Sequence, residues 1–231
     1  MPPNPRAIDE HPPTPEAPPP TVGLVAADAA AVHPGLALLE LTVPIRTARK
    51  SPAWSKDRLA RLSTSVDGHD VLTMHLAPVP AAFRALYKAM GRDPDADRPP
   101  QEEAFFRRLA DGGFPHRGLP ADALLIALAE TGVPVWAVDA DRVRGPLAIR
   151  RATPDDHARL EPSPHPPGAR DLVVADADGP VAAVGRPPHP DRAVRLATTH
   201  ARLYALQLDG VADMRIHEAF WLCTSQLQVA E

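Results

Sequence analysis

The chain has 231 residues, a hydrophobic fraction of 44% and a formal net charge of −4, so it can build a core but lacks the general excess of positive charge typical of nucleic-acid-binding proteins. Its single cysteine, Cys223, excludes an intramolecular disulfide and is typical of a reducing compartment. No apolar run approaches a membrane span and the N-terminus has no hydrophobic signal core, which predicts a cytoplasmic protein without a membrane partner.

The N-terminal residues 1–21 form a proline-rich tail. Nine of the first twenty residues are proline, and apolar periodicity is almost absent. Such a segment cannot bury enough surface to offset its loss of conformational entropy. The composition therefore predicts a disordered tail over residues 1–21 and a folded domain over residues 22–231.

The first predicted strand precedes the most basic segment of the chain. Residues 36–43 (LALLELTV) are apolar and lie between Pro34 and Pro44, which favours a strand. Residues 46–61 hold six cations and one acid around Trp54, and such a set can bind a phosphate backbone and stack on a base. A solvated helix face with a core tryptophan is the alternative. The candidate RNA-binding residues are Arg46, Arg49, Lys50, Lys56 and Arg58.

The sequence SVDGHD at residues 65–70 contains residue types that bind metals, namely Asp67, His69 and Asp70. Asp-Gly is first of all turn chemistry, however. We therefore predict neither a metal site nor a cofactor.

Three helices are predicted in the central part of the chain. The second of them runs from about Gln101 to Ala110 with Leu109 facing inward, and the third begins at Asp122 as its N-cap. The first helix ends at Gly91, which can adopt positive φ. Its apolar face is predicted from residues at helical spacing: Phe83, Leu86, Tyr87 and Met90.

Predicted strands follow these helices. Residues 133–138 are apolar and predict a buried strand, with residues 147–150 as its neighbour across a turn. Residues 172–184 predict a hairpin because Asp-Gly separates two apolar runs.

The last part of the chain predicts a loop, a strand and a helix. Residues 161–169 form a proline-rich loop, and residues 201–208 (ARLYALQL) predict a strand. A closing helix is predicted over residues 211–230, with core anchors at Met214, Trp221 and Leu222.

The order of these elements and several short sequences within them resemble the B3/B4 domain of the phenylalanyl-tRNA synthetase β subunit, a domain that also exists as free-standing proteins. The matching sequences include FRALYKAMGRDP, EEAFFRRL, TGVPVWAVDADRVRGPLAIRRA, DLVVADADGPVAAVG and ATTHARLYALQLDG. The resemblance covers residues 83–210 well and residues 22–80 loosely. It implies an α+β fold class, with a B3/B4-like single domain in which a mixed β-sheet is flanked by helices.

In the synthetase this domain is an editing module that hydrolyses the ester of tRNA carrying a wrong amino acid. That reaction needs a pocket for the amino acid, a water and donors for the developing oxyanion. Alignment with the family pattern places Trp136 at the family's histidine and Tyr204 at its glutamate. Indole N–H only donates, and tyrosine has an ordinary pKa near 10, so neither replaces the family's residue chemically. The resemblance therefore implies the pocket but not the family's editing residues.

The candidate site residues follow from this alignment and from nearby loops. Each has a structural alternative, such as a turn cap at Asp139 or a surface position for the histidines. The predicted pocket residues are Asp122, Trp136, Arg150, Thr198, Thr199 and Tyr204. The candidate catalytic residues are His116, Asp139 and His200.

Three functions stay open at this point. The chain can be a B3/B4-like protein that binds an aminoacyl group or amino-acid-like ligand on tRNA, with trans-editing-like ester hydrolysis. It can also be an enzyme that acts on a free amino-acid-derived small molecule in a biosynthetic pathway, with a repurposed pocket. The third hypothesis is a scaffold without catalysis. The expected partners are tRNA or aminoacyl-tRNA and a small molecule, and we expect no DNA partner.

Overall fold

The computed structural model describes residues 18–160 and 170–228 and shows an α+β protein. The predicted loop at residues 161–169 and residues 1–17 of the predicted tail lie outside the described residues. The helices are α1 (Ala27–Ala30), α2 (Ala53–Thr64), α3 (Gly68–Thr73), α4 (Pro78–Ala89), α5 (Pro100–Asp111), α6 (Ala121–Thr131), α7 (Pro154–Leu160) and α8 (Asp213–Gln228). The strands are β1 (Thr21–Val22), β2 (Leu24–Val25), β3 (Ala37–Pro44), β4 (Val135–Asp139), β5 (Ala148–Arg151), β6 (Leu172–Asp176), β7 (Gly179–Ala183) and β8 (His200–Gln207).

The first sheet has the strand order β1-β3-β8-β4 and is antiparallel throughout. β3 and β8 pair along their full lengths, and β4 pairs with the other side of β8. The strands predicted at residues 36–43 and 201–208 are therefore confirmed. Their apolar runs are explained by position, because both strands lie inside the sheet and pack against the core.

The second sheet has the order β2-β5-β6-β7 and is mixed, since β2 and β5 are parallel and the other pairs are antiparallel. The hairpin predicted at residues 172–184 is confirmed as β6 and β7. At its turn the Asp176 carboxylate accepts hydrogen bonds from the backbone N–H groups of Asp178 and Gly179, at 2.9 and 3.1 Å. The described strands thus form two sheets, where one mixed sheet was expected.

The predicted neighbour of β4 is wrong. Residues 147–150 were expected beside residues 133–138, but the corresponding strand β5 pairs with β2 and β6 in the second sheet. A 3₁₀ turn over Ala140–Arg142 follows β4, and the chain then leaves the first sheet. The free edge of β4 is instead approached by Ala193, which forms an isolated bridge to Val138.

The predicted central helices are confirmed as α4, α5 and α6, with one error in facing. The apolar side chains of α4 are buried as expected. α5 ends at Gly112, whose φ of 76° suits a residue without a Cβ. Leu109, predicted to face inward, is 44% exposed, because the inward face of α5 is instead formed by Gln101, Glu102 and Phe105.

The closing helix is confirmed as α8, but two of its three predicted anchors are wrong. Met214 is 79% exposed and Trp221 is 51% exposed, whereas Leu222 is buried as predicted. Positions 214 and 221 are seven residues apart and share one helix face, which points to solvent. The opposite face packs into the core through Ile216, Ala219, Phe220, Cys223 and Leu227.

The core consists of a large cluster and a smaller one. The large cluster packs both sheets against α4, α6 and α8 and includes Trp136 and Tyr204. The smaller cluster joins α2, α3, α5 and α6, and Trp54 packs at its edge. Of the described helices, every one is too short or too polar to span a bilayer.

Candidate functional site

A cavity of about 380 Å³ lies between α5 and α6, beside the start of β4. One wall is a stripe of α5 at helical spacing, from Pro100 to Arg107, and another is the first two turns of α6. Residues 185–187, which follow β7, border the cavity as well. Its apolar lining comes mainly from the following side chains: Phe114, Leu124, Leu125, Leu128, Val135 and Trp136.

Trp136, one of the predicted pocket residues, lines this cavity and contacts Tyr204 on the neighbouring strand. The two residues are directly opposite each other in the β4–β8 pairing. Their rings stack with centroids 5.5 Å apart and an interplanar angle of 18°. Trp136 is only 8% exposed, so the cavity wall and the core share this side chain.

Tyr204 supports the wall rather than forming it, since it is not among the cavity-lining residues. Its hydroxyl is buried and has no hydrogen-bond partner among residues 18–160 and 170–228. Burial raises the pKa of Tyr204 far above its ordinary value, so the phenol stays neutral. A neutral buried phenol cannot do the chemistry of the carboxylate that the resemblance to the B3/B4 domain implies at this position.

Asp122 is fully buried at the cavity and binds two other segments of the chain. Its carboxylate accepts hydrogen bonds from the Ser55 hydroxyl at 3.0 Å and from the backbone N–H of Arg117 at 2.7 Å. The predicted N-cap role is wrong, because Pro120 occupies that position and Asp122 lies within the first turn of α6. The carboxylate therefore fixes α2, α6 and the preceding loop relative to one another.

Four arginines line the cavity, and none of them was predicted from the sequence as a site residue. Arg107 is exposed and pairs with Glu103, at 2.6 Å, on the same helix face. The available signal was the helical spacing of Pro100, Glu103, Ala104 and Arg107, which places these residues on one side of α5. The four arginines are Arg98, Arg107, Arg117 and Arg186.

Asp139 and the predicted threonine and histidine residues of the last strand form a separate group. The Thr198 hydroxyl donates to the Asp139 carboxylate at 2.6 Å, and the backbone N–H of Asp141 donates to it at 3.1 Å. Thr199 and His200 are exposed, and their side chains contact each other at 3.1 Å. None of the four predicted residues lines the cavity, so they are not brought together with Trp136.

The other two predicted site residues differ in position. His116 is exposed and lies between Pro115 and Arg117, both of which line the cavity, so it is at the cavity rim. Arg150 lies on β5 in the second sheet and forms a two-point ion pair with Asp156, at 2.5 and 2.9 Å. Arg150 is therefore engaged elsewhere and does not belong to the cavity.

The basic segment adjoins the cavity rim. Ala48 bridges Leu119 through backbone hydrogen bonds, and the Ser51 hydroxyl accepts the N–H of Gly118. Arg58 is bound to Glu130 by two hydrogen bonds, at 2.6 and 2.7 Å. Four of the predicted RNA-binding cations are exposed and make no ion pair with the described residues: Arg46, Arg49, Lys50 and Lys56.

Residues 65–70 form a helix start in place of a metal site. Asp67 caps α3, and the side chain of Asp70 accepts the N–H of Asp67 in return. The part of the chain that the structure describes contains no group of three or more His, Cys, Asp or Glu side chains suited to a metal.

Comparison with other proteins adds no relative from which function could be transferred. No protein-family model matches the chain, and no curated protein matches it. The α+β fold rests on the structure itself, and the resemblance to the B3/B4 domain stays a hypothesis.

Proposed function

We propose that the chain is a B3/B4-like protein whose cavity binds the aminoacyl group of an amino-acid-like ligand, carried on tRNA. The observation that carries this proposal is the cavity of about 380 Å³ with Trp136 in its wall. This volume lies in the range of small-molecule sites, which are typically apolar with a few polar groups. An apolar side chain contacting the indole and the leucines of α6 fits this lining.

The position of the basic segment supports tRNA as the carrier. Arg46, Arg49 and Lys50 are exposed, and the segment is hydrogen-bonded to the loop that borders the cavity. A nucleic acid whose aminoacylated end entered the cavity would place its phosphates near such cations. The net charge of −4 makes this local patch, rather than the whole surface, the proposed RNA contact.

The proposed reaction is trans-editing-like hydrolysis of the aminoacyl ester, with His116 as the general base. Of the three candidate catalytic residues, His116 is the one flanked by cavity-lining residues. An imidazole at the rim can accept a proton from an attacking water at neutral pH. The two carboxylates at the cavity, Asp122 and Glu103, are less suited to act as the general base, because they already accept hydrogen bonds from other groups of the chain.

A free amino-acid-derived small molecule is the second candidate ligand. The observation that favours it is the lining itself, because an arginine can bind a free carboxylate, which an ester lacks. In this alternative the protein is an enzyme with a repurposed pocket that works without RNA.

The proposal is tested by binding of 3′-(L-phenylalanylamino)-3′-deoxyadenosine, a non-hydrolysable analogue of an aminoacylated tRNA end. We expect the wild type to bind it more tightly than adenosine, and Trp136→Ala to weaken binding about tenfold or more through the lost aromatic contact. Trp221→Ala removes an exposed tryptophan outside the cavity and serves as the matched control.

Trp136→Ala is also expected to lower the free energy of unfolding by about 3 kcal/mol, since the ring is part of the core. Trp136→Phe keeps an aromatic ring against Tyr204 and separates affinity from folding. Equal affinity of the wild type for the analogue and for adenosine would contradict the proposed aminoacyl pocket. His116→Ala should abolish hydrolysis of mischarged tRNA while leaving analogue binding intact.

A further inference from the structure

The charges that line the cavity are unbalanced. Four arginines face two carboxylates, those of Glu103 and Asp122. This excess of positive charge is notable in a chain whose formal net charge is −4. Arg98 and Arg186 are half-buried, and partial burial of a guanidinium group costs solvation free energy unless a partner compensates it. Arg107 and Arg117 are exposed at the border of the cavity.

Two of the arginines are neutralised by nearby carboxylates. Arg107 pairs with Glu103 at 2.6 Å, on the same helix. Arg186 is hydrogen-bonded to the buried carboxylate of Asp97. These two side chains help to shape the wall, and their charges are already matched.

The guanidinium groups of the other two, Arg98 and Arg117, make no ion pair with a carboxylate among residues 18–160 and 170–228. The guanidinium of Arg98 lies over the ring of Phe106, 4.3 Å from its centroid, which orients the planar group without removing its hydrogen-bonding capacity. The backbone of Arg117 is fixed by its hydrogen bond to Asp122. The Arg98 guanidinium is therefore positioned by a contact that leaves its charge unmatched. The Arg117 side chain is exposed and extends from a backbone that is fixed at the border of the cavity.

We propose that Arg98 and Arg117 bind an anionic group of the ligand, so that the cavity takes a ligand with both an apolar side chain and a phosphate or carboxylate. This inference rests on the proposed function for the apolar part of the ligand. Guanidinium groups bind phosphate and carboxylate through two parallel N–H donors, which provides both charge and geometry. The two carboxylate oxygens of Asp122 accept hydrogen bonds from the Ser55 hydroxyl and from the backbone N–H of Arg117, which limits the repulsion of an anion by this carboxylate.

The anion has two chemical sources, which correspond to the two candidate ligands. On tRNA it is a phosphate of the terminal nucleotides, because the carboxyl group of the amino acid is esterified. On a free amino acid it is the carboxylate. The anion that the two arginines prefer, phosphate or carboxylate, therefore distinguishes the two candidate ligands.

The test compares matched pairs of probes at constant ionic strength. The first pair is 3′-(L-phenylalanylamino)-3′-deoxyadenosine with and without a 5′-phosphate, and the second is L-phenylalanine and L-phenylalaninamide. Pyrophosphate alone is the third probe. Dissociation constants are measured for the wild type, for Arg98→Gln with Arg117→Gln, and for the control Arg215→Gln, which alters an exposed arginine outside the cavity.

In one of the two pairs, we expect the compound that carries the phosphate or carboxylate to bind the wild type about tenfold or more tightly than the compound that lacks it. Hydrogen bonds to charged groups have this strength. The double variant should lose that preference and its binding of pyrophosphate, while Arg215→Gln keeps both. A preference for the 5′-phosphate identifies the nucleic-acid source, and a preference for free phenylalanine identifies the carboxylate source.

Three results overturn one or both proposals. If the neutral analogue binds but neither anion adds affinity, the anion site is wrong and the aminoacyl pocket stands. If pyrophosphate binds in an arginine-dependent manner but no aminoacyl probe binds, the aminoacyl pocket is wrong and the anion site stands. If none of the probes binds, both proposals are wrong.

Discussion

Asp122 is a single residue that fixes three segments around the cavity. It is buried, and its carboxylate accepts hydrogen bonds from Ser55 on α2 and from the backbone of Arg117 in the loop before α6. A buried donor that loses its acceptor costs more free energy than the hydrogen bond itself contributed. The geometry of the cavity therefore depends on this residue even if it never touches a ligand.

Asp122→Ala is expected to lower the free energy of unfolding by about 1–3 kcal/mol, because it leaves the Arg117 N–H without an acceptor and leaves the Ser55 hydroxyl only the Pro52 carbonyl oxygen. Asp122→Asn keeps one acceptor oxygen and should cost less. Urea unfolding at 25 °C measures both variants. Asp57→Ala on the exposed face of α2 is the control, and equal losses in Asp57→Ala and Asp122→Ala would contradict this role.

Individual residues were predictable from sequence only where the local pattern decides their surroundings. The alternation along a strand predicts that Trp136 lies on the opposite face of β4 from its neighbours, and the resemblance predicted that this face borders a pocket. The prediction that Met214 and Trp221 on α8 are core residues was wrong, because helical spacing shows which residues share a face but not which face packs against the core. Arg98 and Arg117 could not be linked at all, since they are brought to one cavity by tertiary packing.

At the level of elements, the positions of helices and strands were largely predictable, but strand pairing was not. Apolar periodicity, flanking prolines and Asp-Gly turns indicated α4, α5, α6, β3, β8 and the β6–β7 hairpin. The predicted pairing of β4 with β5 was wrong, because two strands joined by a short connection need not be neighbours in a sheet. Each strand pairs where it buries its apolar face, and that depends on residues far away in the chain.

The start of α7 contains an ion pair that stabilises the second sheet. Asp156 accepts two hydrogen bonds from the guanidinium of Arg150 on β5, at 2.5 and 2.9 Å, and further ones from the Thr153 N–H and hydroxyl, both at 2.8 Å. The Arg150 guanidinium, followed by the Thr153 bonds, holds the pKa of Asp156 well below its usual range. Asp156 therefore connects α7, the preceding loop and β5, and the strength of this connection depends on pH because it requires the charged carboxylate.

Asp156→Asn is expected to lower the free energy of unfolding at pH 7 by about 1–3 kcal/mol, since it removes the charge of a buried carboxylate that is paired with the half-buried guanidinium of Arg150. Because the pKa is lower in the folded state, this contribution is complete above the unfolded pKa near 4 and is lost as the pH falls through the folded value. The loss should be about 1 kcal/mol smaller at pH 3 than at pH 7. Urea unfolding at both pH values measures it.

Asp155→Asn is the matched control for this prediction. Asp155 is adjacent in sequence but exposed, so its substitution should change stability little at either pH. A loss in Asp156→Asn that does not depend on pH would show that the charge of Asp156 is not what stabilises the junction.

At the scale of the whole molecule, residues 21–25 connect the two sheets. β1 pairs with β3 at the edge of the first sheet, and β2 pairs with β5 at the edge of the second. Gly23 lies between them, where an added Cβ would be 2.9 Å from the Leu38 side chain and 3.1 Å from the Leu147 carbonyl oxygen. The close approach of both sheets thus leaves little room for a side chain at this position.

Two truncations test this connection. Deletion of residues 1–17 is expected to leave the melting temperature unchanged, because the segment is proline-rich and has almost no apolar periodicity. Deletion of residues 1–25 also removes β1 and β2, and should lower the melting temperature by several degrees or more. Differential scanning calorimetry distinguishes the two, and a large loss from the shorter deletion would show that residues 1–17 contribute to folding.

The charge distribution of the molecule determines whether it can bind tRNA. If it does, changing Arg46, Arg49 and Lys50 to Ala should weaken binding, because these exposed cations adjoin the cavity rim and have no ion pair among the described residues. The slope of log K against log salt should become shallower by about 2–3, since each lost phosphate contact contributes about 0.7–0.9. Filter binding of tRNA between 50 and 200 mM salt, roughly the range in which such contacts dominate, measures both effects.

A variant with Ala at Arg144, Arg195 and Arg215, which are exposed but paired with acids, should keep the wild-type slope. Absence of any salt-dependent tRNA binding by the wild type at micromolar protein would exclude tRNA as the carrier and leave the free small molecule as the ligand.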